Sequence, residues 1–281
     1  MEPTALNVNC KYTDYFHYLE DFKNLIYPPT LDSLSLEEKE RRKQPFWVTI
    51  PVMRFREKNE RGVVINQYPA PTLGMLRFQV YSSLSFGAQG IIYWGLSDSA
   101  SLNKKNCIIE AVSNPIKVEK NTSTQDLEIV SSGIYEVLKK FNIELATWIH
   151  VFSDSILHKI AHVGKSYANQ PLVTSLGCIR NIRVGNAGVL MSWFTKEFND
   201  LNNNHIKRKY IVIVNQDPFT EQSMTLTLDP SAEAKFITQL PPPIVEEETH
   251  LDIKSNNIII TKILSPGGIE AIYWDVRKFE P

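Results

Sequence analysis

Two short apolar runs, PFWVTIPVM at 45–53 and GIIYW at 90–94, end in side chains that could do chemistry. The first is followed by Arg54 and Arg56; the second carries Tyr93 and Trp94 and is followed by Asp98. A guanidinium is a rigid fork of donors, so the arginines could hold a sugar hydroxyl or a substrate carboxylate, or simply edge a solvated loop. Tyr93 and Trp94 could stack on a sugar ring or pack in a core, and by alternation at least one must face inward. Asp98 is the best-placed carboxylate of the chain, either a binding or catalytic group or a loop cap. Arg54, Tyr93, Trp94 and Asp98 are the substrate-binding candidates, and no catalytic residue is assigned. The six histidines show no HExxH or HxH pattern with acids. His158 and His162 lie on one face of a predicted strand but far apart along it. Cys10, Cys107 and Cys178 are widely spaced without a CxxC, which argues against a disulfide framework and a zinc site alike. No metal or other cofactor is expected.

The elements that must position these groups are legible from periodicity. In PTLGMLRFQVYSSLSFGAQGIIYW, Thr72 can cap a helix over 72–87, whose Leu73, Leu76, Val80 and Leu84 recur at helical spacing. Gly87 sits where a left-handed C-terminal residue is wanted. The almost wholly apolar GIIYW then suits a parallel strand covered on both sides. Helix, glycine turn and buried strand make the repeating step of an α/β fold. Residues 12–26 predict another helix, stopped by Tyr27-Pro28-Pro29, and Ser35–Lys43 a polar one. Residues 45–53 predict a strand in which Pro51 is easiest to tolerate near the end. Residues 54–70 and 97–123 read as long polar loops, and about 126–152 as a strong helix. After Asp154 the period changes to two. Ile156–Val163, Ile179–Val184, Gly188–Thr195, Tyr210–Asn215, Met224–Leu228, Ile258–Leu264 and Ile269–Trp274 predict short strands of an antiparallel β-sandwich.

The bulk numbers narrow the function classes. The chain has 281 residues, 43% hydrophobic and 22% charged, with a net charge of −1. No global field draws it to nucleic acid or an anionic membrane. No apolar run reaches the roughly 18 residues of a membrane helix. The first residues lack a basic segment followed by an apolar one, so no signal peptide is expected in this chain. Lys207-Arg208-Lys209 reads as a solvated turn, not a nucleic-acid patch.

YTDYFHYLEDFKNL, PFWVTI and the string Arg77, Gln79, Tyr81, Leu84, Gly87, Ala88, Gly90, Ile91, Tyr93 resemble the C-terminal half of a (β/α)8-barrel glycoside hydrolase of the beta-galactosidase type, as found in gut bacteria. IHVFSDSILHKIAHVGK looks like that family's link out of the barrel, and YIVIVNQD and ILSPGGIEAIYW like its small β-sandwich. The resemblance covers nearly the whole chain, through scaffold motifs for the most part. It implies that PFWVTI is barrel strand seven and GIIYW strand eight. A full barrel takes about 250 residues. Length alone therefore leaves room for only about three βα units beside a sandwich of on the order of 100–125 residues. Retaining glycosidases need two carboxyl groups about 5–5.5 Å apart. The family places one after strand four and one at the end of strand seven. Strand four is missing here, and strand seven runs into TIPVMRF with no acid before Glu57.

The expected architecture is α/β plus all-β: a partial TIM-barrel segment over 1–155 and a C-terminal β-sandwich over 156–281. The implied function is that of a glycoside hydrolase-like protein, truncated or inactive, that acts on or binds carbohydrate. The alternative is a non-catalytic carbohydrate-binding or protein-interaction module. A periplasmic or extracellular setting is implied by the resemblance. Unpaired strand edges in a truncated barrel would invite self-association.

Overall fold

A computed structural model describes residues 12–26, 46–96, 102–104, 107–113, 115–120, 127–165, 171–185, 187–199, 205–229, 235–237 and 258–277. The fold combines helices with sheets that are mostly antiparallel. The helix expected at 35–43 lies outside the described residues.

Helix α1 (Tyr12–Ile26) buries Phe16 and Leu19. Strand β1 (Trp47–Pro51) pairs in parallel with β4 (Gly90–Trp94), from Trp47 opposite Gly90 to Pro51 opposite Trp94. Pro51 is the last residue of β1, where a missing ladder donor does least harm. Between them runs α2 (Leu73–Ser85), where Thr72 Oγ1 accepts the Met75 N–H at 3.2 Å. Gly87 closes the turn with φ +91°, the left-handed conformation expected of it.

Three expectations in this half are corrected. The charged stretch 54–70 is a hairpin, β2 (Arg54–Lys58) and β3 (Val64–Tyr68), because its charges alternate with inward Phe55 and so fit a sheet with one wet face. Much of 97–123 is strand as well. β5 (Leu102–Lys104) and β6 (Cys107–Ser113) complete an antiparallel sheet of order β3-β2-β6-β5. β7 (Ile116–Lys120) pairs with β8 (Leu127–Ser131). The next helix, α3 (Gly133–Phe152), therefore starts after Ser132 and not near 126.

The parallel pair also differs from expectation. Val48, Ile50, Ile91 and Tyr93 face the helices, but the other face leaves Trp47 62% and Ile92 44% exposed. The side of GIIYW away from the helices is covered, among the described residues, only around Trp94. Among the described residues the parallel sheet holds two strands, not three.

Most strands after Asp154 form where alternation put them, with two corrections. The strand expected at 210–215 begins at His205, so Lys207-Arg208-Lys209 is paired on both sides within a sheet and is not a solvated turn. The strand at Lys235–Ile237 was not expected. β9 (Ile156–Val163), β11 (Val189–Asn199), β12 (His205–Asn215), β14 (Lys235–Ile237) and β16 (Ile269–Arg277) make one antiparallel sheet, of order β14-β16-β12-β11-β9. β10 (Ile179–Val184), β13 (Gln222–Leu228) and β15 (Ile258–Leu264) make the second, of order β10-β13-β15. One face of the large sheet, with Val189, Met191, Ile211, Ile213 and Ile272, packs on the small sheet through Ile182, Leu226 and Ile260. The opposite face, with Leu190, Phe194, Tyr210, Val212 and Val214, packs on the three helices through Phe16, Phe78 and Trp148. The large sheet is a shared wall between two cores. Period-two side chains that are apolar on both faces build that wall.

Candidate functional site

The C-terminal ends of β1 and β4 lie side by side, and the Val52 N–H continues their pairing by donating to the Trp94 carbonyl at 2.9 Å. Alternation splits the two aromatic candidates. Tyr93 turns toward the helical core, where its hydroxyl donates to Asn142 Oδ1 at 2.6 Å and burial pushes the phenol up to about 12. Trp94 turns the other way and joins a separate cluster with Met53, Phe55 and Tyr68. Phe55 and Tyr68 stack at 4.2 Å with planes 12° apart, and Trp94 meets Phe55 edge-on at 5.6 Å. Gly95, directly after Trp94, lies against the Met53 side chain, so the chain turns tightly over this cluster. Arg54 is exposed at the start of β2, one residue from Phe55. Asp98 lies outside the described residues.

The structure thus brings Trp94 and Arg54 to one end of the parallel pair and takes Tyr93 out of it. Phe55 and Tyr68 were missed in the sequence. The signal available was the alternation Arg54-Phe55-Arg56 and an aromatic residue before Pro69, both inside a stretch read as loop.

The residues matched by the resemblance inside α2 are structural. Glu144 of α3 accepts Arg77 Nε at 2.8 Å and the Tyr81 hydroxyl at 2.7 Å, while Arg77 Nη1 donates to Ser265 Oγ at 3.1 Å. Burial, and then the neighbouring Glu144 charge, hold the Tyr81 phenol well above its usual range. Gln79 Nε2 donates to the Met75 carbonyl at 3.3 Å, and the Gln79 carbonyl accepts from the Tyr15 hydroxyl at 2.7 Å.

His158 and His162 do not share a face. A bulge opposite Trp193 and Phe194 shifts the register of β9 by one, which turns every following side chain over. His158 Nε2 lies 2.7 Å from Thr195 Oγ1, while His162 is buried edge-on against Phe16. The Gln216 amide oxygen accepts from His162 Nδ1, and its nitrogen donates to the Lys165 and Ala187 carbonyls at 3.3 Å. Among the described residues no group of three or more His, Cys, Asp or Glu converges as a metal site, and no helix is long and apolar enough to cross a membrane. A polar cleft of about 460 Å³ is lined by Gly185, Ala187, Asp217, Thr220, Glu221 and Gln222, with Ser223. Its Asp217 is occupied by the Phe219 and Thr220 N–H groups and the Thr220 hydroxyl.

No family model matches the chain, and neither a curated protein nor a solved structure matches it.

Proposed function

We propose that this is a glycoside hydrolase-like protein that binds carbohydrate at the C-terminal ends of its parallel strands. The observation that carries this is half-buried Trp94 and Tyr68, set around buried Phe55 at the strand ends, with exposed Arg54 next to Phe55 in the chain. Aromatic faces match the apolar C–H face of a pyranose, and a guanidinium can hold its hydroxyls. In this proposal β1, α2 and β4 are an arc of a (β/α)-barrel. The parallel register and, among the described residues, the helices on one face and the exposed Trp47 and Ile92 on the other support that. Barrel enzymes place ligands where these strands end. Hydrolysis would need two flanking carboxyl groups, and the chain leaving β1 carries none before Glu57. Binding without turnover is therefore the favoured activity. A non-catalytic module is the second form of the same proposal, and the absence of an acid from the end of β1 favours it.

A glycan array followed by calorimetry tests this. Retention of neutral oligosaccharides is expected, with no release of reducing ends. Trp94→Ala should weaken binding by about ten-fold, the worth of roughly 1.4 kcal/mol of stacking. No retained glycan, or unchanged affinity in Trp94→Ala, would overturn the proposal. Release of reducing ends would make the chain an enzyme.

A further inference from the structure

The large sheet extends beyond the small one that covers it. Past the row Trp193–Ile211–Ile272, in which the isoleucines are buried and Trp193 is half-buried, come two more cross-strand rows on the same face, Thr195–Lys209–Trp274 and Glu197–Lys207–Val276. His158 and Lys159 flank them on β9: Lys159 stands opposite Trp193, and His158 reaches Thr195. At about 4.8 Å per strand, this strip over β9, β11, β12 and β16 is about 14 Å wide. Apart from Thr195, Val276 and Glu197, its side chains are aromatic and basic. Lys209 Nζ lies 5.9 Å from the Trp193 ring and 6.0 Å from the Trp274 ring, an ammonium between two partly exposed indoles. Glu197 is the acid of the two rows, and it is already engaged by Lys207 at 3.1 Å and His205 at 3.5 Å. Lys159 and Lys209 have no carboxylate partner among the described residues. A strip with its acid engaged and two ammonium groups left over is complementary to an anion. Indoles beside those groups are complementary to a flat, C–H-rich ring.

We infer that this strip is a binding surface for an acidic glycan, with uronic-acid rings stacked on Trp193 and Trp274 and their carboxylates held by Lys209 and Lys159. The ligand class follows the carbohydrate reading above, but the surface is a different one, on the sandwich. An ammonium over an indole is attracted by the ring quadrupole and so stays in place while it takes a second, anionic partner. The exposed setting makes the attraction salt-dependent.

The test uses the full chain with a galacturonic-acid tetramer, its neutral galactose counterpart and poly-glutamate. Calorimetry should show the uronate bound and the affinity falling as salt rises. Lys209→Gln, and separately Lys159→Gln, should each weaken uronate binding about ten-fold, with thermal unfolding unchanged. Trp193→Phe should keep part of the affinity that Trp193→Ala loses. Trp94→Ala should leave uronate binding intact while it weakens neutral binding, so failure at the strand ends and failure on the sandwich are separately visible. Equal affinity for uronate and neutral tetramer in Trp94→Ala, where the strand-end site is removed, or no effect of either lysine variant on uronate binding, would overturn the inference. So would poly-glutamate binding as tightly as the uronate, since the strip would then read charge alone.

Discussion

Glu144 and His162 show how single buried groups hold this fold. Glu144 is 9% exposed and faces Arg77, at 16%, on a neighbouring helix, with Tyr81 as a second donor. Glu144→Ala leaves the guanidinium and phenol without their acceptor, and breaking such a buried pair costs about 3 kcal/mol. The urea midpoint should fall accordingly while the slope stays unchanged. His162 carries a pH dependence. Burial pulls its imidazole down from 6.5 to about 4, against the opposing hydrogen bond with Gln216. The unfolded chain therefore binds more protons than the folded one in this window, so stability rises with pH. The contribution is complete above pH 6.5, declines as pH falls, and is gone below pH 4, on the order of 3 kcal/mol in all. His162→Gln should flatten the stability profile between those two pH values, as read by thermal unfolding in a buffer series. A profile as steep as that of the parent chain would place the titration elsewhere.

Elements meet most closely where α2 begins. A Cβ on Gly74 would run into the Pro218 carbonyl and the Pro266 ring, and a Cβ on Gly267 would run into the Gly74 carbonyl and Phe78. The first turn of α2 is thus pressed against two turns of the sandwich, without room for a methyl group. In an exposed helix Gly→Ala is stabilising by about 1 kcal/mol. Gly74→Ala should have the opposite sign and destabilise by about 1–3 kcal/mol, because the helix must move off the turns. Differential scanning calorimetry reads that sign directly. The small-sheet strands were legible because they put apolar side chains at every second position, and the large-sheet strands through runs apolar on both faces, but Lys207-Arg208-Lys209 hid the first half of β12. Helix α2 was legible through Thr72 and Gly87. The hairpin at 54–68 was not, since Arg54, Arg56, Glu57 and Lys58 mask the single inward Phe55. The start of α3 was misplaced because Leu127 and Ile129 continue its apolar spacing, and only their pairing with β7 makes them strand. Trp94 could be singled out by position, but its partners Phe55 and Tyr68 come from that masked hairpin. The Trp193–Lys209–Trp274 grouping depends on cross-strand register, which no local pattern in the sequence carries.

At the scale of the molecule, the layers are unevenly closed. The large sheet has helices on one side and the small sheet on the other, and its central side chains are fully buried. Among the described residues the parallel pair has helices on one side only. Trp47 lies with its indole over Gly90 and remains 62% exposed, and Ile92 beside it is 44% exposed. Parallel strands are almost always covered on both faces, because their pattern is apolar on both. The inner side of the proposed barrel arc is therefore the surface this chain has most to gain by covering, and its edges, unpaired among the described residues, offer backbone groups to a second copy. Concentration-dependent self-association is the expected result, with light scattering rising above the monomer mass as the protein is concentrated. Trp47→Lys with Ile92→Lys should suppress it, since charges on that face would have to be desolvated in the contact. Thermal unfolding of the double variant should change little, because both side chains point away from the helical core. A parent chain that stays monomeric at high concentration would show the open face to be tolerated as it stands. Association that persists in the double variant would place the contact on another surface, the exposed Val63–Ile65 segment of the β2–β3 hairpin being the next to examine.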